Sequence, residues 1–309
     1  MRAVITFDIH LNDRPGDIVT CLDRLEAAGW RATFFVPTSM LGLPEFSGPL
    51  RELENRGCEL GTHAHHHNGP EKAALRGDGD AGLGFLARSA DAFAQFFGRA
   101  PRVFRAPCWA YLCEPAVDEL ERLGYRVDSS RTPQRPGILS SFPYDNRHMV
   151  SGRAPHFLRP GLLEVPTSTM LVPLGWPTFC TLRRRGSMVV TRALALEAKL
   201  RRSLVLVGQF HVSDLAPGGD NMTQRTFRWS DLIPRADGGI AARRWLRMTD
   251  RGRVAGISLA VMTRMASGEL VSFAEVLAAM APERSTGRAG EVDAREDRGA
   301  MHSPARLSA

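Results

Sequence analysis

Short apolar runs alternate with amphipathic helical segments along most of the chain, and this alternation constrains the fold more than any other feature. The apolar runs predict strands, and the segments between them show the spacing of buried positions that a helix requires. Repeated strand–helix order favours a barrel or a doubly wound parallel sheet. Strands are predicted at 4–7, 32–36, 58–61, 102–105, 125–128, 162–165 and 204–210, and helices at 17–28, 50–56, most of 70–97, 114–123, 190–201 and 249–265.

The domain organisation follows from length and composition. A chain of 309 residues with 43% hydrophobic residues can bury a substantial core. Residues 131–160 are rich in Pro, Gly and Ser and predict a long loop. Residues 282–309 are polar and carry five Arg against five acidic residues, which predicts a disordered tail. We therefore expect one domain over residues 1–281 that is followed by this tail.

The charge and the cysteines restrict the class of protein. The formal charge is +7, yet only Lys72 and Lys199 among the forty basic residues are lysines. No basic stripe interleaved with aromatic residues is present, so we expect no nucleic-acid partner, and a basic cleft for an anionic substrate stays possible. Five cysteines without CxxC spacing indicate a reducing compartment. No apolar stretch reaches the length of about 18 residues that a membrane span needs. These features predict a cytoplasmic protein, and they leave its oligomeric state open.

Groups able to bind metal or transfer protons stand where predicted strands end. The first strand ends in Asp8-Ile9-His10, and the third is followed by "THAHHHN", which holds four of the nine histidines. His63 and His67 are four residues apart, so a helical turn would place both imidazoles on one face, as a metal bound by nitrogen requires. We expect His65 and His66 to point elsewhere, although an irregular local turn would allow either of them to replace His67.

Three later strand ends carry further polar groups. One ends in Arg105 and is followed by Pro107, Cys108 and Trp109, and two others end in Asp128 and His211. Each of these residues alone is more often a salt-bridge partner or a structural residue. In a (β/α) barrel, however, functional groups collect at the C-terminal ends of the strands.

The order of these motifs resembles the polysaccharide deacetylase family, which comprises the metal-dependent N-deacetylases of the NodB-homology type (carbohydrate esterase family 4). The resemblance covers residues 1–275 and implies an α/β fold, a distorted (β/α) barrel of about seven strands. It implies that Asp8 is the catalytic base, that His63 and His67 are metal ligands, and that Arg105 orients the base. It also implies that Pro107 and Asp128 border the substrate groove and that His211 is the general acid.

One departure concerns the metal site. The family signature has adjacent aspartates and some relatives carry D-x-D, whereas this chain has Asp8-Ile9-His10. Residues two apart on a strand project to the same side, so we place His10 where D-x-D relatives have a metal ligand. A site of His10, His63 and His67 favours Zn²⁺, with Co²⁺ or Ni²⁺ as other borderline metals.

The activity expected from this site is removal of an N-acetyl or N-formyl group from an amino sugar or glycoconjugate. Metal-bound water would attack the amide carbonyl, with a backbone N–H near Cys108 stabilising the oxyanion. The substrate would be a small or lipid-linked amino sugar. Two alternatives are an inactive relative that binds carbohydrate through a groove with Trp109 and Trp176, and an amidohydrolase that acts on a non-sugar amide.

Overall fold

The strands and helices of the computed structural model lie within the residues that it describes, which are 1–78, 82–135, 145–215 and 251–280. The strands are β1 (Arg2–Asp8), β2 (Thr33–Val36), β3 (Glu59–Thr62), β4 (Val103–Phe104), β5 (Val127–Asp128), β6 (His156–Arg159), β7 (Leu162–Glu164), β8 (Thr169–Met170), β9 (Val172–Pro173), β10 (Val205–His211) and β11 (Glu269–Leu270). The helices are α1 (Pro15–Ala27), α2 (Pro44–Asn55), α3 (Gly69–Arg76), α4 (Gly84–Phe97), α5 (Glu114–Arg122), α6 (Trp176–Leu200), α7 (Arg251–Ala266) and α8 (Phe273–Met280).

The main sheet has the strand order β10-β1-β2-β3-β4-β5-β7-β6, and all neighbours are parallel except β6 and β7. The short strand β11 also pairs with the start of β1. The chain after β7 returns to β10, where the Ser168 amide donates to the Val207 carbonyl oxygen at 3.0 Å and the Gln209 amide donates to the Leu174 carbonyl oxygen at 2.9 Å. The sheet therefore curls into the distorted (β/α) barrel that the family resemblance implied.

Side-chain alternation along β1 separates the core from the site. Ile5, Phe7 and Ile9 are buried in the layer between sheet and helices, where Phe7 stacks on Phe34 with ring centroids 5.1 Å apart. The alternate residues Thr6 and Asp8 face the other side of the sheet, because successive side chains of a strand point to opposite faces. A strand that is apolar on one face thus presents polar groups to the barrel interior.

The structure differs from the sequence prediction mainly after β5. Helix α6 begins at Trp176 rather than at residue 190 and is kinked at Arg183, which has a φ of 52°. The predicted loop 131–160 contains strand β6, which forms the antiparallel edge of the sheet. Its residues 136–144 lie outside the described part, as do the segment 216–250 and the predicted tail 282–309.

Gly175 joins β9 to α6 where two backbone segments meet. A Cβ at this position would lie 2.5 Å from the Gln209 carbonyl oxygen and 2.8 Å from Gln209 Oε1. Gly175→Ala should therefore lower the free energy of unfolding by about 1–3 kcal/mol, as overpacking does, in a urea titration. Gly48→Ala in α2 is the control, because its Cβ would meet no atom within 4 Å. Equal free energies of unfolding for the two variants would show that β10 can move far enough to accept the added methyl group without a cost in stability.

Candidate active site

A buried ion pair between Asp8 and Arg105 forms the centre of the site. Asp8 ends β1, and Arg105 follows β4 with its side chain fully buried. Arg105 Nη1 donates to Asp8 Oδ1 at 2.9 Å and to Thr6 Oγ1 at 2.6 Å, while its other nitrogens donate to the Ser129 carbonyl and hydroxyl oxygens. The guanidinium also lies 4.2 Å from the ring centroid of Phe35. These contacts fix the arginine and, through it, the carboxylate.

Gln209 holds the second oxygen of the carboxylate. Its Nε2 donates to Asp8 Oδ2 at 2.8 Å and lies 3.2 Å from His211 Nε2. Gln209 and His211 are two residues apart on β10, so their side chains leave the strand on the same side. This glutamine was not among the predicted site residues, although the same two-residue spacing that linked Asp8 to His10 would have identified it.

The charge state of Asp8 follows from these neighbours. Burial alone would raise the pKa of its carboxyl, but the charge of Arg105 and the nearby His63 and His211 outweigh burial and lower the pKa well below its usual range. The hydrogen bond from Arg105 acts in the same direction. Asp8 is therefore a carboxylate throughout the pH range of ordinary enzyme activity.

His63 and His67 come together through an irregular turn and not through the helical turn that their spacing predicted. Strand β3 ends at Thr62, and the backbone then passes through left-handed conformations at Ala64 (φ 61°) and His67 (φ 55°) before α3 begins. The two ring centroids are 4.8 Å apart. His63 Nδ1 donates to the Arg105 carbonyl oxygen at 2.8 Å, so its Nε2 carries the lone pair and lies 4.0 Å from Asp8 Oδ2.

The two histidines between them point elsewhere. His65 Nδ1 lies 2.9 Å from Thr38 Oγ1, a hydrogen-bond distance on the far side of the turn. His66 is exposed, and its backbone amide donates to both carboxylate oxygens of Glu71 at 2.9 Å. The four-histidine cluster is thus divided into an inward pair and an outward pair.

His10 joins the inward pair. Its ring centroid lies 4.9 Å from that of His67, 6.3 Å from that of His63 and 4.6 Å from that of His211. Burial lowers the pKa of His10 well below its usual value, and the neighbouring histidines lower it further. Burial likewise lowers the pKa of His63, and it lowers that of His67 to about 3. All three imidazoles are therefore neutral, as metal binding requires.

The pKa of His211 is shifted in the opposite direction from the pKa values of His10, His63 and His67. Burial would lower the pKa of its imidazole, but Asp214, Asp8 and Asp13 raise it above the ordinary value. Asp214 Oδ2 accepts from the His211 amide at 2.9 Å and lies 3.8 Å from Nδ1. The indole of Trp176 packs edge-on against the imidazole at 5.6 Å between centroids. This histidine is the one in the site that favours the protonated form.

The same H-x-x-D pattern follows the neighbouring strands β1 and β10. Asp13 Oδ2 accepts from the His10 amide at 2.7 Å, just as Asp214 accepts from His211. Both aspartates are buried, and their carboxylates contribute to raising the pKa of His211. The repeated pattern is visible in the sequence, and it identifies two residues that the sequence analysis did not single out.

The segment after β4 forms one wall of the site. Pro107–Trp109 is a 3₁₀ turn in which Cys108 and Trp109 have φ values of 54° and 52°. His148 Nε2 donates to the Trp109 carbonyl oxygen at 3.0 Å, and the Thr132 amide donates to His148 Nδ1 at 3.1 Å. The conformation of this wall is thus fixed by a buried histidine that the sequence analysis did not select.

Asp128 stabilises this wall through Ser130 and is not exposed to solvent. It is completely buried, and its Oδ1 accepts from Ser130 Oγ, which in turn accepts from the Ala106 amide at 2.8 Å. On the adjacent strand, Glu164 lies opposite Asp128 in register. The direct contact with substrate that the resemblance implied for Asp128 is not available at this position.

Asp128 and Glu164 form a pair of buried carboxyl groups on neighbouring strands, and burial disfavours the ionised form of each. Burial raises the pKa of both, and the charge of Asp128 raises that of Glu164 further. Because the folded-state pKa values exceed the unfolded ones, this stability contribution is complete below about pH 4 and declines as the pH rises. Glu164→Gln imitates the protonated acid, so its stability relative to the parent should increase from pH 4 to pH 8 in urea titrations. A difference that does not change with pH would contradict the raised pKa of Glu164.

The types of donor in the site, but not their present spacing, suit a borderline divalent cation. Burial lowers the pKa of His10, His63 and His67, whereas the carboxylates of Asp214, Asp8 and Asp13 raise that of His211. Within the described ranges, no three or more His, Cys, Asp or Glu side chains converge as an assembled metal site. To hold a Zn²⁺ ion at Zn–N distances of about 2.0–2.1 Å, the three imidazoles would have to lie closer together than they do here.

Comparison with known proteins agrees with the motifs. Residues 2–127 match the family model described as polysaccharide deacetylase, which confirms the resemblance for this part of the chain. The match contains β1, the histidine cluster and Arg105, whereas His211 lies beyond it. A comparison with curated proteins gives no match.

Solved structures with a similar fold include two deacetylases. A chitin deacetylase from the fungal pathogen Colletotrichum lindemuthianum has 12% identity and a TM-score of 0.47, with 89% of this chain and 86% of that chain covered. A peptidoglycan deacetylase from Bacillus subtilis has 12% identity and a TM-score of 0.43, with 90% and 91% covered. At these values neither structure supports an inference about activity.

Proposed function

We propose that the protein is a metal-dependent hydrolase that removes an N-acetyl or N-formyl group from an amino sugar or glycoconjugate. The observation that carries this proposal is the arrangement at one edge of the sheet of the Asp8 carboxylate, held by Arg105 at 2.9 Å, and of His10, His63, His67 and His211, whose neighbouring ring centroids lie 4.6–4.9 Å apart. The pKa of the first three imidazoles is lowered and that of His211 is raised. A structural polar cluster does not require such opposite charge states among neighbouring histidines.

His10, His63 and His67 are the proposed ligands, and Zn²⁺ is the proposed cation, with Co²⁺ or Ni²⁺ as substitutes. A cation held there would act as a Lewis acid that raises the acidity of water and polarises the amide carbonyl. The Arg105 carbonyl oxygen keeps His63 in the tautomer that presents Nε2. An outer hydrogen bond of this kind typically orients a histidine ligand.

Asp8 and His211 are the proposed proton-transfer groups. Asp8 accepts the proton of the attacking water, and its low pKa makes it a base only toward water of raised acidity. His211 donates a proton to the departing amine nitrogen, which its raised pKa favours. Arg105 and Gln209 position the carboxylate, and the backbone N–H of Cys108 is the proposed donor to the developing oxyanion.

The substrate class is proposed from the wall of the site. Trp109, beside Pro107, is partly exposed and its indole suits a sugar ring, whereas Trp176, against His211, is buried in the core and is not proposed to contact the sugar. A small or lipid-linked amino sugar in the cytoplasm agrees with the cysteine content described above. The loops that would set the specificity include residues outside the described part of the chain.

The test is a screen of N-acetylated and N-formylated amino sugars for release of free amine, with Zn²⁺, Co²⁺ or Ni²⁺ added after treatment with a chelator. We expect release that depends on the added cation. Simple N-acetylated alkylamines form the control set, because their hydrolysis would indicate an amidohydrolase without a sugar site. Sugar binding without any amine release would indicate an inactive carbohydrate-binding relative, and metal-independent release would contradict the metal proposal.

A further inference from the structure

The outward face of α6 carries a row of exposed apolar side chains. Val189, Leu196 and Leu200 are 65%, 58% and 76% exposed, at spacings of seven and four residues. The opposite face of the helix is buried. With Leu182, this helix holds four of the ten large apolar side chains that are exposed in the described part of the chain. Such concentration on one face is unlike the single, scattered exposure that is normal for a protein surface.

A row of positive charge runs beside the apolar row. Arg185, Arg192 and Lys199 are spaced by seven residues and are all exposed, and within the described ranges none of them forms an ion pair. Residues 182–202 contain seven Arg or Lys and one acid, Glu197, whose carboxylate pairs with Arg153 at 2.6 Å. One of only two lysines in the chain is among them. The face is therefore both apolar and strongly cationic.

The face extends along most of α6 and ends near the candidate active site. The part beyond the kink, residues 184–200, extends for about 25 Å at 1.5 Å per residue. Helix α6 begins at Trp176, whose indole contacts His211, so one end of the helix lies beside the candidate active site. Among the described residues no helix is both long and apolar enough to cross a membrane.

We propose that this face, defined by Val189, Leu196, Leu200, Arg185, Arg192 and Lys199, binds the surface of an anionic lipid bilayer. An interfacial helix of this kind places its apolar row at the boundary of the acyl chains and its cations among the anionic headgroups. A second copy of the chain is disfavoured as the occupant, because pairing through the apolar row would bring two cationic rows together. The proposal rests on this face and is independent of the proposed chemistry.

The test is co-sedimentation of the full chain with vesicles of phosphatidylcholine alone and of phosphatidylcholine mixed with phosphatidylglycerol. We expect binding to the mixed vesicles that weakens as salt is added. The triple variant Arg185→Gln, Arg192→Gln, Lys199→Gln should bind roughly 100-fold more weakly, since each cation contributes about a factor of 5 at such a surface. Leu196→Gln should weaken binding about tenfold through loss of apolar burial.

The matched control is the triple variant Arg31→Gln, Arg88→Gln, Arg102→Gln, which removes the same charge from exposed positions elsewhere and should keep most of the binding. Equal losses in the two triple variants, or equal binding to neutral and anionic vesicles, would overturn the proposal. So would normal vesicle binding by Leu196→Gln, because a polyanion site needs the cations but not the apolar row. A dimer that Val189→Ser converts to a monomer would assign the face to a second copy.

Discussion

Asp8→Asn should reduce the turnover of amide hydrolysis by about 10²–10⁴-fold, the usual effect of losing a positioned proton-transfer group, while bound metal is retained. The asparagine keeps the size of the side chain but has no charge for Arg105 and cannot accept the proton. Metal content and rate of amine release, measured on the same preparation, separate this outcome from a loss of ligand. A variant with the parent's turnover would remove Asp8 from the chemistry.

The control for Asp8→Asn must account for stability. Removing one partner of a buried ion pair leaves Arg105 uncompensated and typically costs about 3–5 kcal/mol, so thermal unfolding must be followed in parallel. Asp17→Asn removes another buried carboxylate, on α1, and should leave turnover unchanged. His211→Asn provides a second test that leaves the Asp8–Arg105 pair intact, and it should retain metal and also lose most turnover. If His211→Asn keeps full activity, another group protonates the amine.

His63→Ala and His67→Ala should each lose the bound metal and abolish metal-dependent amine release. The affinity should fall by more than the roughly 10–100-fold that loss of an outer partner costs, because each change removes a direct ligand. Metal analysis after dialysis measures the first effect, and the amine assay measures the second. Metal binding at the parent's stoichiometry in both variants would place the metal elsewhere or remove it from the proposal.

The same cluster supplies the control. His65→Ala and His66→Ala remove histidines whose side chains point away from the site, so both should keep metal and activity. His10→Ala should lose metal, whereas His10→Asp should retain it, since a carboxylate is also a ligand. If His10→Ala binds metal and turns over like the parent, His10 is only a structural histidine and Asp8 becomes the better candidate for the third ligand.

Two features of the site were predictable from the sequence because they depend on local geometry. They are the side of a strand to which each side chain points and the presence of polar groups at strand ends. Side chains alternate along β1 and the two residues that follow it, which buries Ile9 and places Asp8 and His10 on one side. This alternation depends only on an extended backbone and not on the rest of the fold. Parallel strands bring their C-terminal ends to one edge, so Arg105 and His211 were expected near Asp8. The contacts of 2.9 Å from Arg105 to Asp8 and 4.6 Å between the rings of His10 and His211 agree with that expectation.

The sequence by itself therefore determined the strand–helix order, the polar strand ends and the division of the chain into functional motifs. Only the tertiary structure decided which histidines face inward, because the turn from His63 to His67 contains left-handed residues and is not a helix. It alone showed that Asp128 is paired with Glu164, and that Gln209 shares Asp8 with Arg105. These outcomes depend on contacts between residues as far as 201 positions apart. No local pattern encodes such contacts, since they arise only when separate strands pack side by side.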